Sequence, residues 1–61
     1  GSEVAFEFHG LRYEGVVTRI TKRATVLVKS TEGVLYTDGI RYRKYYTPIS
    51  ELHLLGVQTN F

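Results

Sequence analysis

From Glu3 to Phe8 the chain alternates strictly. Val4, Phe6 and Phe8 fall on one face and Glu3 and Glu7 on the other, the period-two pattern of a half-buried strand. His9-Gly10 predicts a turn, with Gly10 free to take positive φ. Leu11–Ile20 reads as a long second strand, rich in β-branched and aromatic residues, and Gly15 in its middle predicts a bulge or sharp bend. After a polar turn at Thr21–Arg23, alternation resumes with Ala24, Val26 and Val28 inward and Thr25, Leu27 and Lys29 outward. Ser30–Gly33 predicts another hairpin turn and Val34–Thr37 a short strand. Asp38-Gly39 predicts a two-residue type I′ hairpin, whose central residues both need positive φ. Ile40–Tyr46 follows as a strand, with Ile40, Tyr42 and Tyr46 on one face and Tyr42 directed to the core. Arg41, Arg43 and Tyr45 take the opposite face. Thr47-Pro48 then breaks the strand. Thr47 suits a cap and Pro48 a first helical position, which predicts one helical turn through Ile49–Leu52. His53–Val57 closes as a short strand.

No helix-period stripe runs longer than about one turn, so the fold class is all-β. No repeat or linker divides the 61 residues. The expected organisation is an expression scar at Gly1-Ser2, a single domain over 3–57 and a frayed tail over 58–61. A chain this short buries only about 60% of the surface its unfolded form exposes, so its core carries little margin.

The order of elements resembles the Src homology 3-like small barrel. Gly15-Val16-Val17-Thr18-Arg19-Ile20 is similar to the Gly-x-Val-x-x-Ile of KOW and Tudor-type barrels, with Val17 and Ile20 pointing inward. Val26-Leu27-Val28 followed by Glu32-Gly33-Val34 resembles their third strand, turn and fourth strand. Pro48-Ile49-Ser50-Glu51-Leu52 resembles the single turn before their last strand, with Leu52 plugging the barrel end. The resemblance implies a small barrel of five or six strands with one helical turn before the last. Thr37–Tyr46 departs from it, because these barrels have a tight link where this chain carries an additional hairpin.

Charge sharpens the picture through its distribution. Eight Lys and Arg against six Asp and Glu leave a net charge of +2. The cations gather in two blocks: Arg12, Arg19, Lys22, Arg23 and Lys29 against Glu14, then Arg41, Arg43 and Lys44 with no acid among them. Folded together, two such blocks form a positive face that attracts phosphate backbones or acidic protein surfaces. Arg19, Lys22 and Arg23 lie at the second hairpin tip, where small barrels present binding residues. The segment Ile40–Tyr46 interleaves Arg41, Arg43 and Lys44 with three tyrosines. Cations supply salt-dependent phosphate affinity, and an exposed tyrosine ring stacks on bases. On the face assigned above, Tyr45 is the tyrosine to contact a ligand. The bland alternative is an edge strand whose charges only discourage pairing with another chain.

The leading expectation is therefore a binding module for nucleic acid, DNA or RNA, held through phosphates by Arg19, Lys22, Arg23, Arg41, Arg43, Lys44 and Tyr45. An acidic peptide or neighbouring subunit on the same face is the alternative partner. An aromatic cage for a methylated cation would draw on Phe8, Tyr13 and Tyr36. Catalysis finds no footing. Ser2, Ser30 and Ser50 have no neighbouring His-Asp arrangement, and no phosphate-cradling glycine loop is present. His9 and His53 are too few for a metal set, the chain has no cysteine, and no cofactor is expected. No apolar run approaches about 18 residues and no signal-type segment opens the chain, so no membrane partner is expected. The expectation is a cytoplasmic, intracellular domain.

Overall fold

The computed structural model describes residues 1–55. It is all-β: one five-stranded antiparallel sheet and a single 3-10 turn. The elements are β1 (Glu3–Phe8), β2 (Leu11–Ile20), β3 (Arg23–Leu35), β4 (Arg41–Pro48), the 3-10 turn Ile49–Glu51 and β5 (His53–Leu54). In space the order is β4-β3-β2-β1-β5. Gly56 and Val57 of the expected closing strand, and the tail 58–61, lie outside the described residues. Among the described residues no helix is long and apolar enough to cross a membrane.

The alternation read in β1 and β3 sets the core. Val4 and Phe6 of β1, Val17 of β2, and Ala24, Val26 and Val28 of β3 form one buried cluster. Tyr13, Tyr45 and Leu52 pack against it, half-buried. Burying a side chain of the size of Val or Phe contributes about 1.5–3 kcal/mol, so Phe6, Val4 and Val26 carry much of the stability. The sheet is curled. β1 and β4 are separated by two strands, about 14 Å in a flat sheet, yet the rings of Phe6 and Tyr45 lie 5.6 Å apart. Ala5, on the opposite face, is buried as well, because its small side chain sits in a row between Glu14 and His53.

Several sequence expectations are corrected. Ser30–Gly33 closes no hairpin. Lys29 and Val34 both oppose Tyr42, so the four residues between them bulge out of one long β3, and Val34–Thr37 is no separate strand. Gly33 is needed there because a Cβ would run into the backbone of Tyr42. Among the described residues the sheet consequently has five strands, the lower of the two numbers expected, and residues 26–34 belong to β3 alone.

The type I′ turn falls at His9-Gly10, where a turn was expected, and not at Asp38-Gly39. His9 (φ 52) and Gly10 (φ 78) both take positive φ between the paired Phe8 and Leu11, as a type I′ turn requires. At the other hairpin only Gly39 does so (φ 83). The Gly39 N–H donates to the Tyr36 carbonyl, and the Tyr36 N–H donates to the Ile40 carbonyl. This is a three-residue loop, Thr37-Asp38-Gly39, with its glycine in the left-handed position.

Gly15 marks a close approach and no bulge: a Cβ would strike the Leu27 carbonyl and lie 2.9 Å from Val26 Cγ1. The register shift lies two residues later, between Val17 and Arg19. That extra residue keeps Val17 and Ile20 on one face although they are three apart. Ile20 is nevertheless 59% exposed, at the rim of an apolar depression shared with Val4, Val17, Ile49, Leu52 and Leu54. Thr47 neither breaks β4 nor caps the turn. It pairs with Ala24 and is 2% exposed, and the cap position falls to Pro48 without a side-chain hydrogen bond.

Candidate functional site

Face assignment in β4 decides where the expected site residues go. Ala24 opposes Thr47, Val26 opposes Tyr45 and Val28 opposes Arg43. Cross-strand partners share a face, so Tyr45, Arg43 and Arg41 lie on the core side of the sheet. The phase expected from the sequence was inverted. Tyr42 faces outward, while Tyr45 packs against Phe6, Phe8 and Tyr13 with ring centroids 5.0–5.6 Å away. Burial, and then the nearby Tyr13, raises the Tyr45 phenol above the ordinary tyrosine range. Arg43 and Arg41 stay exposed beyond the core, and the Arg41 guanidinium donates to the Gly33 carbonyl at 3.1 Å.

The outer face collects the other cations. Arg19, Thr25 and Tyr46 form one cross-strand row, and Val16, Leu27 and Lys44 the next. Alternation along β3 adds Arg23 before Thr25, and Lys29 beyond Leu27, opposite Tyr42. Arg19, Arg23, Lys44 and Tyr46 line one shallow depression of about 450 Å³ with Thr18, Thr21 and Thr25. Of the seven expected residues, the fold thus brings Arg19, Arg23 and Lys44 together, and Lys22 stands on the adjoining β2–β3 turn. It places Arg41, Arg43 and Tyr45 on the other side.

Two residues of this face were missed in the sequence. Lys29 was legible, since the β3 alternation already turned it outward with Thr25 and Leu27. Tyr46 was hidden by the inverted phase. It is 59% exposed, and its hydroxyl meets no hydrogen-bond partner among the described residues.

Charge changes sign across this face. The row Lys44–Leu27–Val16 continues through β2 to Glu3 on β1. Glu7 and Glu14 share that side of β1 and β2, Glu14 paired with Arg12. Glu51 joins Glu7, Arg12, Ser50 and His53 around a neighbouring depression. The end of the outer face beside the β2–β3 turn is basic and bears Tyr46, whereas acids predominate toward β1, where Lys29 shares a depression with Glu3 and Glu14.

The aromatics part ways with the expected cage. Phe8 and Tyr13 meet through Tyr45, but Tyr36 lies at the β3–β4 tip, edge-on to Tyr42 at 5.1 Å. There the Tyr42 hydroxyl donates to Asp38 Oδ2 at 2.8 Å and the Ile40 N–H donates to Asp38 Oδ1 at 2.9 Å. The Ile40 bond, and then the Tyr42 bond, hold the Asp38 carboxyl below its ordinary value, and the Asp38 carboxylate raises the Tyr42 phenol. Among the described residues no three His, Cys, Asp or Glu gather into a metal-binding group. His9 sits in the β1–β2 turn against Phe8, and His53 on β5.

No family model matches this chain, and comparison with curated proteins and with solved structures finds no match either.

Proposed function

We propose that this chain is a non-catalytic binding module, a curled sheet of the Src homology 3-like small-barrel kind, that binds nucleic acid through its outer basic face. The observation carrying this reading is the convergence of Arg19, Arg23 and Lys44, from β2, β3 and β4, around one depression beside the exposed ring of Tyr46. Cations from three strands share one face with no acid between Arg19 and Lys44 in either row. Such a surface neutralises phosphates, and it orients a backbone without reading base sequence. Lys22 extends it from the turn.

Neutralising phosphates releases condensed counterions, so affinity must fall steeply with salt. For about four contacts to duplex DNA the log–log slope is roughly −3.6. Titration of a labelled oligonucleotide across a salt series tests this. Absence of binding to duplex and single strand alike at about 50 mM salt, where the electrostatic contribution is strong, contradicts the proposal.

A second reading has one observation in its favour. β4 is an edge strand, paired only to β3 among the described residues, and carries Arg41, Arg43 and Lys44. An acidic extended peptide could add to that edge by backbone pairing. It would protect β4 amides from exchange, which phosphate contact on the face would not.

A further inference from the structure

We infer that the outer face takes single-stranded nucleic acid in preference to duplex, with a base stacked on Tyr46. This rests on the nucleic-acid reading above and narrows it.

The fold finds a use for the other tyrosines of its aromatic clusters. Tyr13 and Tyr45 complete the core, and Tyr36 and Tyr42 brace the β3–β4 tip through ring contact and the Asp38 hydrogen bond. The Tyr46 side chain alone has neither a ring partner nor a hydrogen bond among the described residues, yet it lies 59% exposed on the sheet face. Its surroundings suit one ligand chemistry. Arg19 stands across Thr25 in the same row, and Lys44 lies two residues along β4, about 7 Å away. The cations flank the ring, so a backbone can pass beside it while a base lies on it. Leu27, half-buried between Val16 and Lys44, extends the apolar floor for a neighbouring base.

Width and charge disfavour a duplex that presents its major groove. The basic end spans β2 to β4, two strand spacings or about 10 Å. The two backbones bordering a major groove are about 12 Å apart. With one backbone seated on Lys44 and Tyr46, the other would fall toward the Glu3 and Glu14 side of the sheet. A single backbone running along β4 avoids those acids. Paired bases also present no free ring face to Tyr46, whereas unpaired bases do.

The test is fluorescence anisotropy with a labelled strand of about twenty mixed cytidine and thymidine nucleotides and the same strand annealed to its complement, at about 50 mM salt. The single strand should bind more tightly, with a salt slope near −2.8 for about four contacts. Tyr46→Ala should weaken single-strand binding about fivefold or more while leaving duplex affinity within about twofold, and Tyr46→Phe should retain single-strand affinity. Circular dichroism melts of both variants check that the fold is intact. Equal or tighter duplex binding overturns the inference and leaves the nucleic-acid reading standing. So does a Tyr46→Ala loss that is the same for both probes. Failure of both probes to bind overturns the two together.

Discussion

Tyr45 and Tyr46 are joined by one peptide bond and occupy opposite faces of the same three strands. On the inner face, Tyr45 closes a cluster with Phe6, Phe8 and Tyr13, and Val26 and Ala24 lie fully buried beside it. On the outer face, Tyr46 stands in solvent among Arg19, Arg23 and Lys44. The residue types are alike and the fates differ. What separates them is strand phase, which assigns one tyrosine to stability and leaves the other free for a ligand.

The sharpest way to break this division is to charge the inner face. Val26→Asp places an unpaired carboxylate at a position with no exposed surface. A chain of this size holds about 3–9 kcal/mol in all, so the variant should be unfolded by circular dichroism. A native melt would mean that β3 presents its other face to the core.

Truncating the two tyrosines sharpens the contrast. Tyr45→Ala should cost about 2–3 kcal/mol in urea denaturation, from lost burial and ring contacts. Tyr46→Ala should stay within about 0.5 kcal/mol of the parent, as surface substitutions do. Similar losses for both would erase the distinction between the faces.

Gly33→Ala probes the bulge that lets β3 pair with β4 on both sides of Ser30–Gly33. Its methyl group has to displace the Tyr42 backbone, at a cost of about 1–3 kcal/mol. An unchanged urea midpoint would show that β3 and β4 do not approach so closely there.

The smallest effect is a pH effect at the β3–β4 tip. The Asp38 carboxyl is held below its ordinary value by the Ile40 N–H and then by the Tyr42 hydroxyl. This contact therefore contributes in full above the ordinary carboxylate value and fades as pH falls through the depressed one. Asp38→Asn should flatten that acid limb slightly, lowering stability a little at neutral pH, where the contact contributes in full, and leaving it nearly unchanged below the depressed value. An acid limb identical in the variant would remove Asp38 from the account.

Much of this was legible in the chain. The alternation of Glu3–Phe8 and Ala24–Lys29 located the core-facing residues of two strands, though not the buried Ala5, because period-two patterning with acids or lysine on one side admits only one inward face. The turn at Ile49–Leu52 followed from Pro48. Phase in β4 was not legible. Both of its faces carry a tyrosine, so alternation grouped Tyr42 with Tyr46, and Arg43 with Tyr45, without saying which group goes inward. That was settled by pairing with Ala24 and Val26, a contact between distant segments. Ser30–Gly33 misled for a related reason. Its composition is turn chemistry, but Gly33 serves the close passage of Tyr42, which only the fold makes apparent. The candidate site inherited both features: Arg19, Arg23 and Lys44 were named from charge alone, whereas Tyr46 needed the correct phase.

The central claim is that ligand binding belongs to the outer face and not to basic residues in general. The most direct measurement compares two variants against one labelled single strand at about 50 mM salt. Arg19→Ala combined with Lys44→Ala removes outer-face cations, and Arg41→Ala combined with Arg43→Ala removes the same number from the inner side. The outer pair should lower affinity and flatten the salt slope by about 1.4 units, at about 0.7 per lost contact, while the inner pair leaves the slope close to that of the parent. Equal losses from the two pairs, or a larger loss from the inner pair, would contradict the assignment.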